Sequence, residues 1–351
     1  MSFLSKYYKP WSLIWIIQRF ILVIKQGSLS QISFKTLITD YKSTRKVSKS
    51  LKKQSSLDHS IKNPGNDISS LTGISANNES ERIITCSHLN PDLLSPLNNF
   101  FDHIYIVNLA RRSDRRHMMV HKLTKLKIKA EFFPAEDGAS KDNLREFSEY
   151  YNNPIDPENA HELEVKLKRK AIFSPGEWGT LKSYINILKE AIEKGFDKIL
   201  CLEDDTIFAK DFDELFNQAG LMIPENWKIL YLGASQHTWQ ENTDLITPAD
   251  KFDKKSPVKY YLPLNTDGVF AVGIRKPAFS YLLSEAGKMN CPFDSGALRS
   301  ATKTFKGECF VLNPNLIIAD VRESDIRIGR NQRSFAEIAR WDLNLYDLNG
   351  F

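Results

Sequence analysis

Three consecutive carboxylates, Glu203, Asp204 and Asp205, interrupt an apolar run (Ile199, Leu200, Cys201, Leu202) and are followed by Ile207 and Phe208. The run reads as a buried strand, so the triplet falls at its carboxyl end. Two unit charges about 4 Å apart repel by about 4 kcal/mol at an effective dielectric near 20. Three at one strand end must therefore spread apart, take up protons or bind a cation. Carboxylates with no His or Cys nearby suit a hard cation, Mg²⁺ or Mn²⁺. Such a cation usually takes one or two carboxylates and completes its shell with water and phosphate oxygens. The chemistry this implies is a metal ion holding a diphosphate. The competing reading is a solvated loop whose acids cap the next helix.

A second group ends an earlier apolar run. In NLARRSDRR, residues Asn108, Arg111, Arg112, Arg115 and Arg116 lie just before or inside a helix start. Guanidinium forks match phosphate, and helix N-termini favour anions. A solvated basic face or nucleic-acid binding are the alternatives. Nucleic acid would want a basic body, and the body is acidic. Residues 1–53 hold eleven Lys and Arg against Asp40 alone, a net +10, so the remainder carries −5 of the overall +5. The basic character belongs to an N-terminal arm.

These residues need elements to position them. From about residue 100 short apolar runs alternate with helical periods. HIYIVNL (103–109), AEFFPA, DKILCLEDD, WKILYLG (227–233), GVFAVGI (268–274), ECFVLNP and NLIIAD read as strands. Residues 113–126 read as a helix capped by Ser113, and 276–287 as another. The clearest helix covers 174–195, with Ser174 as cap, Pro175 first and Gly195 at its end. Leu181, Tyr184, Ile185, Leu188 and Ile192 form its expected buried stripe. The alternation predicts an α/β domain with a mostly parallel central sheet, whose ligands bind beyond the carboxyl ends of the strands.

Upstream, KPWSLIWIIQRFILVIKQG predicts an apolar helix with one narrow polar stripe. Arg19 at its middle disfavours a membrane span, and no small-residue cleavage site follows. The expectation is an amphipathic helix in a basic arm (1–53) lying on an anionic membrane surface. Residues 54–98, with a core rich in Ser, Asn, Lys and Gly, read as a flexible linker. The globular domain is expected over 99–332, with a tail at 333–351. The four cysteines are scattered and show no CxxC, which fits a reducing compartment.

Several segments in order, IYIVNLARRSDRR, AEDG (135–138), GEWGTLKSY (176–184) and ILCLEDD, resemble glycosyltransferase family 25. DGVFAVGIRKPAFSYLL (267–283), CPFDSGAL (291–298) and NPNLIIADVRESDI (313–326) extend the resemblance to about 101–330. It implies a GT-A-type, Rossmann-like fold and transfer of a sugar, often galactose from UDP-galactose, with inversion. It implies that the triplet acts as the family's acidic metal motif, with Asp205 and Glu203 as metal ligands and Glu203 and Asp204 facing the donor. Asn108, Arg111, Arg112 and Arg115 would sit near the nucleotide, and Glu177 and Ser183 at the donor pocket. Glu177 also suits a capping position after Ser174.

The implied cofactor is Mn²⁺ or Mg²⁺ with a UDP-sugar donor. The implied partner is a glycan or lipid-linked glycan acceptor, such as lipopolysaccharide or capsule. Asp294, matching the family's P-x-D, is the candidate base, with Asp267 and Asp325 behind it; an N-cap is the bland role for Asp294. Two departures stand out. Tyr184 replaces a frequent histidine, and residues 141–173 look like a long polar connection on the acceptor side. A sugar nucleotidyltransferase is disfavoured because NLARRSDRR has no glycine, and a non-catalytic membrane-associated module is the other alternative. Unpaired cysteines and the location of sugar nucleotides suggest a cytoplasmic protein, peripheral on the inner membrane face.

The arm makes a direct prediction. Removing residues 1–53 should sharply lower the fraction that sediments with anionic vesicles; an unchanged fraction would remove the membrane role.

Overall fold

The computed structural model describes residues 82–236, 258–327 and 329–348. The basic arm, its amphipathic helix and residues 54–81 of the linker lie outside the described residues. In chain order, α1 (Pro96–Phe100) precedes β1 (His103–Asn108), α2 (Ser113–Lys125) and β2 (Glu131–Pro134). Helices α3 (Lys141–Asn152), α4 (Glu162–Leu167) and α5 (Pro175–Glu193) follow. Then come β3 (Lys198–Glu203), β4 (Thr206–Phe208), α6 (Phe212–Gly220), β5 (Ile229–Gln236), β6 (Lys259–Tyr261) and β7 (Thr266–Arg275). The chain continues through α7 (Lys276–Gly287), a π turn (Asp294–Leu298), α8 (Arg299–Thr304), β8 (Cys309–Asn313), β9 (Ile317–Ala319) and α9 (Gln332–Ala339).

Among the described residues seven strands form one sheet in the order β2-β1-β3-β7-β5-β8-β6, and β4 pairs separately with β9. Strands β2, β1, β3, β5 and β8 point the same way, while β7 and β6 run against them. This is the expected Rossmann-like α/β arrangement, mixed by the reversed β7 at its centre. Sequence alternation cannot reveal that reversal, because a strand buried on both faces looks the same in either direction. Neighbouring residues feed opposite cores. Ile104, Ile106, Leu200 and Leu202 join one cluster, while Tyr105, Ile199 and Cys201 join the other. All four cysteines are buried and free.

Helix α5 packs on the second cluster. Ser174 Oγ accepts from the Glu177 N–H at 3.2 Å, Pro175 opens the helix and Gly195 leaves it at φ +72°. The buried stripe is rotated from the one read in sequence. Ile187 and Ala191 are buried beside Leu181, Tyr184 and Leu188, whereas Ile192 is 44% exposed. The cap of α2 also differs. Arg112, not Ser113, precedes the helix and gives no side-chain cap, since a guanidinium has no acceptor. It closes instead on Asp114 at 2.8 Å.

Two segments read as outside the domain belong to it. Ile84 bridges Glu131, Thr85 and Cys86 are buried, and Leu97 enters the core, so residues 82–98 are not linker. In the tail, Trp341 Nε1 donates to Asn315 Oδ1 at 2.7 Å, and the Tyr346 hydroxyl donates to the Asn315 carbonyl. In both stretches the anchoring contacts reach residues far along the chain, which no local pattern can show. Residues 141–173, read as one long connection, contain α3 and α4. No helix among the described residues is long and apolar enough to cross a membrane.

The loop 135–138 is clamped to α5 by glycines. A Cβ on Gly138 would fall 1.9 Å from the Pro175 carbonyl oxygen, and one on Gly179 would fall 2.4 Å from that of Glu136. Backbone rather than a flexible side chain fills that space. Gly138→Ala is therefore expected to cost about 1–3 kcal/mol of stability, as overpacking generally does. A urea midpoint equal to the wild type would show that the loop yields freely.

Candidate functional site

The carboxyl ends of β1, β3 and β5 and the start of the reversed β7 meet at one edge of the sheet. A cavity of about 380 Å³ opens there. Glu203 and Asp205 line it, as do Asp267 from β7, Asp294 from the π turn, Glu177 from α5 and Asp320 after β9. The β4–β9 pair brings the last of these in. Asp320 N–H donates to the Asp205 carbonyl at 2.7 Å, so two segments about 115 residues apart end at the same point.

The acidic triplet divides its labour. Asp204 does not line the cavity. It accepts from Asn108 Nδ2 at 2.7 Å and pairs with Arg115 at 2.8 Å, and both ions of that pair are about 7% exposed. Arg115 also reaches Asp205 at 3.2 Å. Asp205 keeps one buried oxygen, Oδ1, with no hydrogen-bond partner. Burial, reinforced by the Asp204 and Asp320 charges and opposed by Arg115 and Lys122, pushes the Asp205 carboxyl up to about 7. Burial first, then Asp205, Asp204 and Asp294, hold Glu203 well above the usual carboxylate range. Burial alone would raise Asp320 too, but Arg322 outweighs it and holds that carboxyl low.

An excess of buried negative charge with an orphaned oxygen is what a bound cation would relieve. Carboxylate donors of this kind would suit Mg²⁺ or Mn²⁺, and Asp205 and Glu203 are the residues that would hold it. Among the described residues no three acidic, His or Cys side chains converge as a ready cage. A hard cation taking one or two carboxylates would draw its remaining oxygens from water and phosphate.

The arginine cluster is occupied by acids. Arg111 pairs with Asp137 at 3.0 Å and Asp325 at 3.3 Å, and Arg112 with Asp114 and Asp325 at 2.8 Å each. Arg116 Nε donates to Asn108 Oδ1 at 2.8 Å. None of Asn108, Arg111, Arg112, Arg115 or Asp325 lines the cavity. The cavity's cations come instead from residues that the sequence reading missed, Arg327 and Arg330. Arg327 donates to Glu177 Oε1 at 3.1 Å, and Arg330 stacks 4.7 Å from the Phe335 ring centre. The family-like segment ends at Ile326, and two arginines three residues apart lie just beyond it.

Ser183 is fully buried, donating to the Gly179 carbonyl at 2.8 Å and accepting from Glu136 N–H at 2.9 Å. It ties α5 to the 135–138 loop and does not enter the cavity. Asp294 does enter it and is not a helix cap. It accepts from Gly268 N–H at 3.1 Å and from the Ser295 N–H and hydroxyl at 2.7 and 3.1 Å. Asp267 is paired with Arg299.

Glu177 accepts from Phe173 N–H at 3.0 Å as well as from Arg327. Burial nevertheless raises its carboxyl above the ordinary value, against the opposing Phe173 N–H and Arg327 charge. An unfolded Glu loses its proton at about pH 4.3. Between that pH and the higher folded value the folded state binds more protons, so stability falls as pH rises. Glu177→Gln removes the titration. The urea midpoint of the wild type relative to Glu177→Gln should therefore fall as pH rises from about 4 through that window. Parallel curves would show that Glu177 ionises normally.

Comparison with known sequences covers part of this site, including Glu177, Glu203, Asp205 and Asp267. Residues 101–270 match the family described as "Glycosyltransferase family 25 (LPS biosynthesis protein)". Procollagen galactosyltransferase 2 of Mus musculus is 25% identical over 198 residues, 47% of this chain and 30% of that protein. The human procollagen galactosyltransferase 2 is 28% identical over 139 residues, 38% of this chain and 21% of that protein. Inactive glycosyltransferase 25 family member 3 of Mus musculus is 28% identical over 142 residues, 39% of this chain and 22% of that protein. The chain thus matches less than a third of the length of each of these relatives. The Rossmann-like sheet and the acidic cavity at its carboxyl edge agree with this similarity of residues 101–270 to glycosyltransferase family 25.

Proposed function

We propose that the chain is an inverting glycosyltransferase that moves a sugar, galactose as the best candidate, from a UDP-sugar to a cell-surface glycan such as lipopolysaccharide or capsule. The observation that carries this reading is the cavity itself. It sets the under-neutralised Glu203 and Asp205 opposite a separate carboxylate, Asp294, and adds Arg327 and Arg330. A divalent cation bound by Asp205 would supply Lewis-acid neutralisation of the leaving diphosphate.

The chain's own groups would do the rest. Arg327 and Arg330 suit the phosphate oxygens, as guanidinium forks generally do. Asp294 is held by neutral donors, whereas Asp267 is committed to Arg299. Asp294 is therefore better placed to accept a proton from the acceptor hydroxyl. That oxygen would bond to the sugar C1 as the C1–O bond to UDP breaks, with inversion at C1. Glu203 and Glu177 line the same cavity and could meet sugar hydroxyls there. Nucleotide sugars and a basic arm agree with a cytoplasmic protein peripheral to an anionic membrane.

The test is UDP release from a panel of UDP-sugars, with Mn²⁺ and with chelator. One donor should turn over with metal. Asp205→Ala should lose about 100-fold or more, the scale of several kcal/mol of transition-state stabilisation. Arg330→Ala should raise the donor KM. Absence of both turnover and metal-dependent UDP binding would favour a non-catalytic module, the state named in the inactive mouse relative.

A further inference from the structure

A second hollow, of about 360 Å³, adjoins the first. Ser295 lines both. The partition between them is short. Asp267 faces the first cavity and pairs with Arg299, which lines the second. Asp294 lies at this same divide, since its carboxylate accepts from the hydroxyl of the shared Ser295 at 3.1 Å. The outer wall is the segment read in sequence as a polar connection, in particular residues 158–162 at the start of α4.

The lining has a definite chemistry. Three carboxylates, Glu158, Glu162 and Glu285, face three cations, Lys288, Arg299 and Lys303. Such balance gives no preference for a phosphate or for a cation. What it offers is many donors and acceptors at short range, which suits neutral hydroxyl groups. His161 fits this pattern. Its Nδ1 accepts from Leu163 N–H at 3.2 Å, which leaves the proton on Nε2 as a donor. The wall is also braced. Asn290 Nδ2 donates to the Asn159 carbonyl at 2.8 Å, and Lys303 pairs with Glu162 at 2.7 Å.

We propose that this second hollow is the acceptor subsite and takes a neutral, hydroxyl-rich glycan whose reactive hydroxyl reaches Asp294 past Ser295. The proposal rests on the transferase reading and extends it. A base that serves an in-line displacement must touch both the acceptor hydroxyl and the sugar in the first cavity, so it belongs at a boundary between two compartments. Asp294 occupies that boundary.

Saturation-transfer NMR on the full chain tests it, with a panel of neutral mono- to tetrasaccharides as probes and UDP with Mn²⁺ as competitor. Saccharide signals should appear with the wild type and persist when UDP and Mn²⁺ are added. Ala160→Trp, which fills the hollow, should weaken saccharide binding by about tenfold or more, a loss of about 1.4 kcal/mol. Lys303→Ala, on an exposed ion pair and so mild for the fold, should weaken it in the same direction. UDP binding should be unchanged in both variants. No signal from any saccharide, displacement by UDP, or equal binding by folded Ala160→Trp and Lys303→Ala would each overturn the subsite. The readout is independent of turnover. Saccharide binding that meets these criteria in a chain that releases no UDP from any donor would keep the subsite and overturn the transferase reading.

Discussion

The buried pair between Arg115 and Asp204 governs the arrangement of the site. Both side chains are almost fully enclosed, and Asn108 completes the acid's hydrogen bonding. Taking two charges out of water is costly, so such a pair adds little net stability by itself. Removing one partner is another matter, because the survivor is left uncompensated at a cost of about 3–5 kcal/mol. The pair thus fixes relative position. It locks the end of β1 and the first turn of α2 to the end of β3. With Asp204 turned to that task, its neighbours Glu203 and Asp205 are the two acids of the triplet that line the cavity.

Charge is consequently sorted across the sheet edge. On the α2 side, arginines outnumber what the cavity needs and are spent on Asp114, Asp137 and Asp325. On the cavity side, carboxylates gather with few counter-charges, and Glu203 and Asp205 are driven toward their protonated forms. Arg327 and Arg330 come from a different part of the chain. They sit on the segment between β9 and α9, which is anchored where Gln332 Nε2 donates to the Ala319 carbonyl at 3.0 Å and its Oε1 accepts from Val321 N–H at 2.9 Å. The tail that follows this segment is docked in turn by Trp341 and Tyr346, which are buried in the core.

The elements legible in the sequence were those whose signal is local. Strand runs such as Ile199–Leu202 and the capped period of α5 depend on neighbours within a few residues. So did the position of the triplet at a strand end. The direction of β7 is set by pairing across about 70 residues, and β4–β9 by pairing across about 110, so no window could show either. The arginine cluster shows the same limit. Its residue types are those of a phosphate site, and only tertiary structure reveals that acids from residues 114, 137, 204 and 325 already satisfy them. Ser183 sits in a motif shared with the family, yet it supports the loop at 135–138.

Tyr184 shows how a departure from the family pattern is absorbed. Its ring stacks on Phe293, with centroids 4.6 Å apart and planes 15° from parallel. Its hydroxyl donates to the Val269 carbonyl at 2.8 Å. It therefore joins α5 both to β7, one residue beyond Gly268, and to the residue that precedes Asp294. Those are the two points from which Asp294 is held, because Gly268 N–H donates to its carboxylate. The π turn that follows is closed by Gly296, where a Cβ would fall 2.8 Å from that of Cys291. Single-turn π geometry is a recurrent way of aiming one side chain away from a helix register. Burial raises the ionisation of the Tyr184 phenol well above the usual tyrosine range, and its hydroxyl is committed to the Val269 carbonyl. Its contribution is to stiffen the wall from which Asp294 projects.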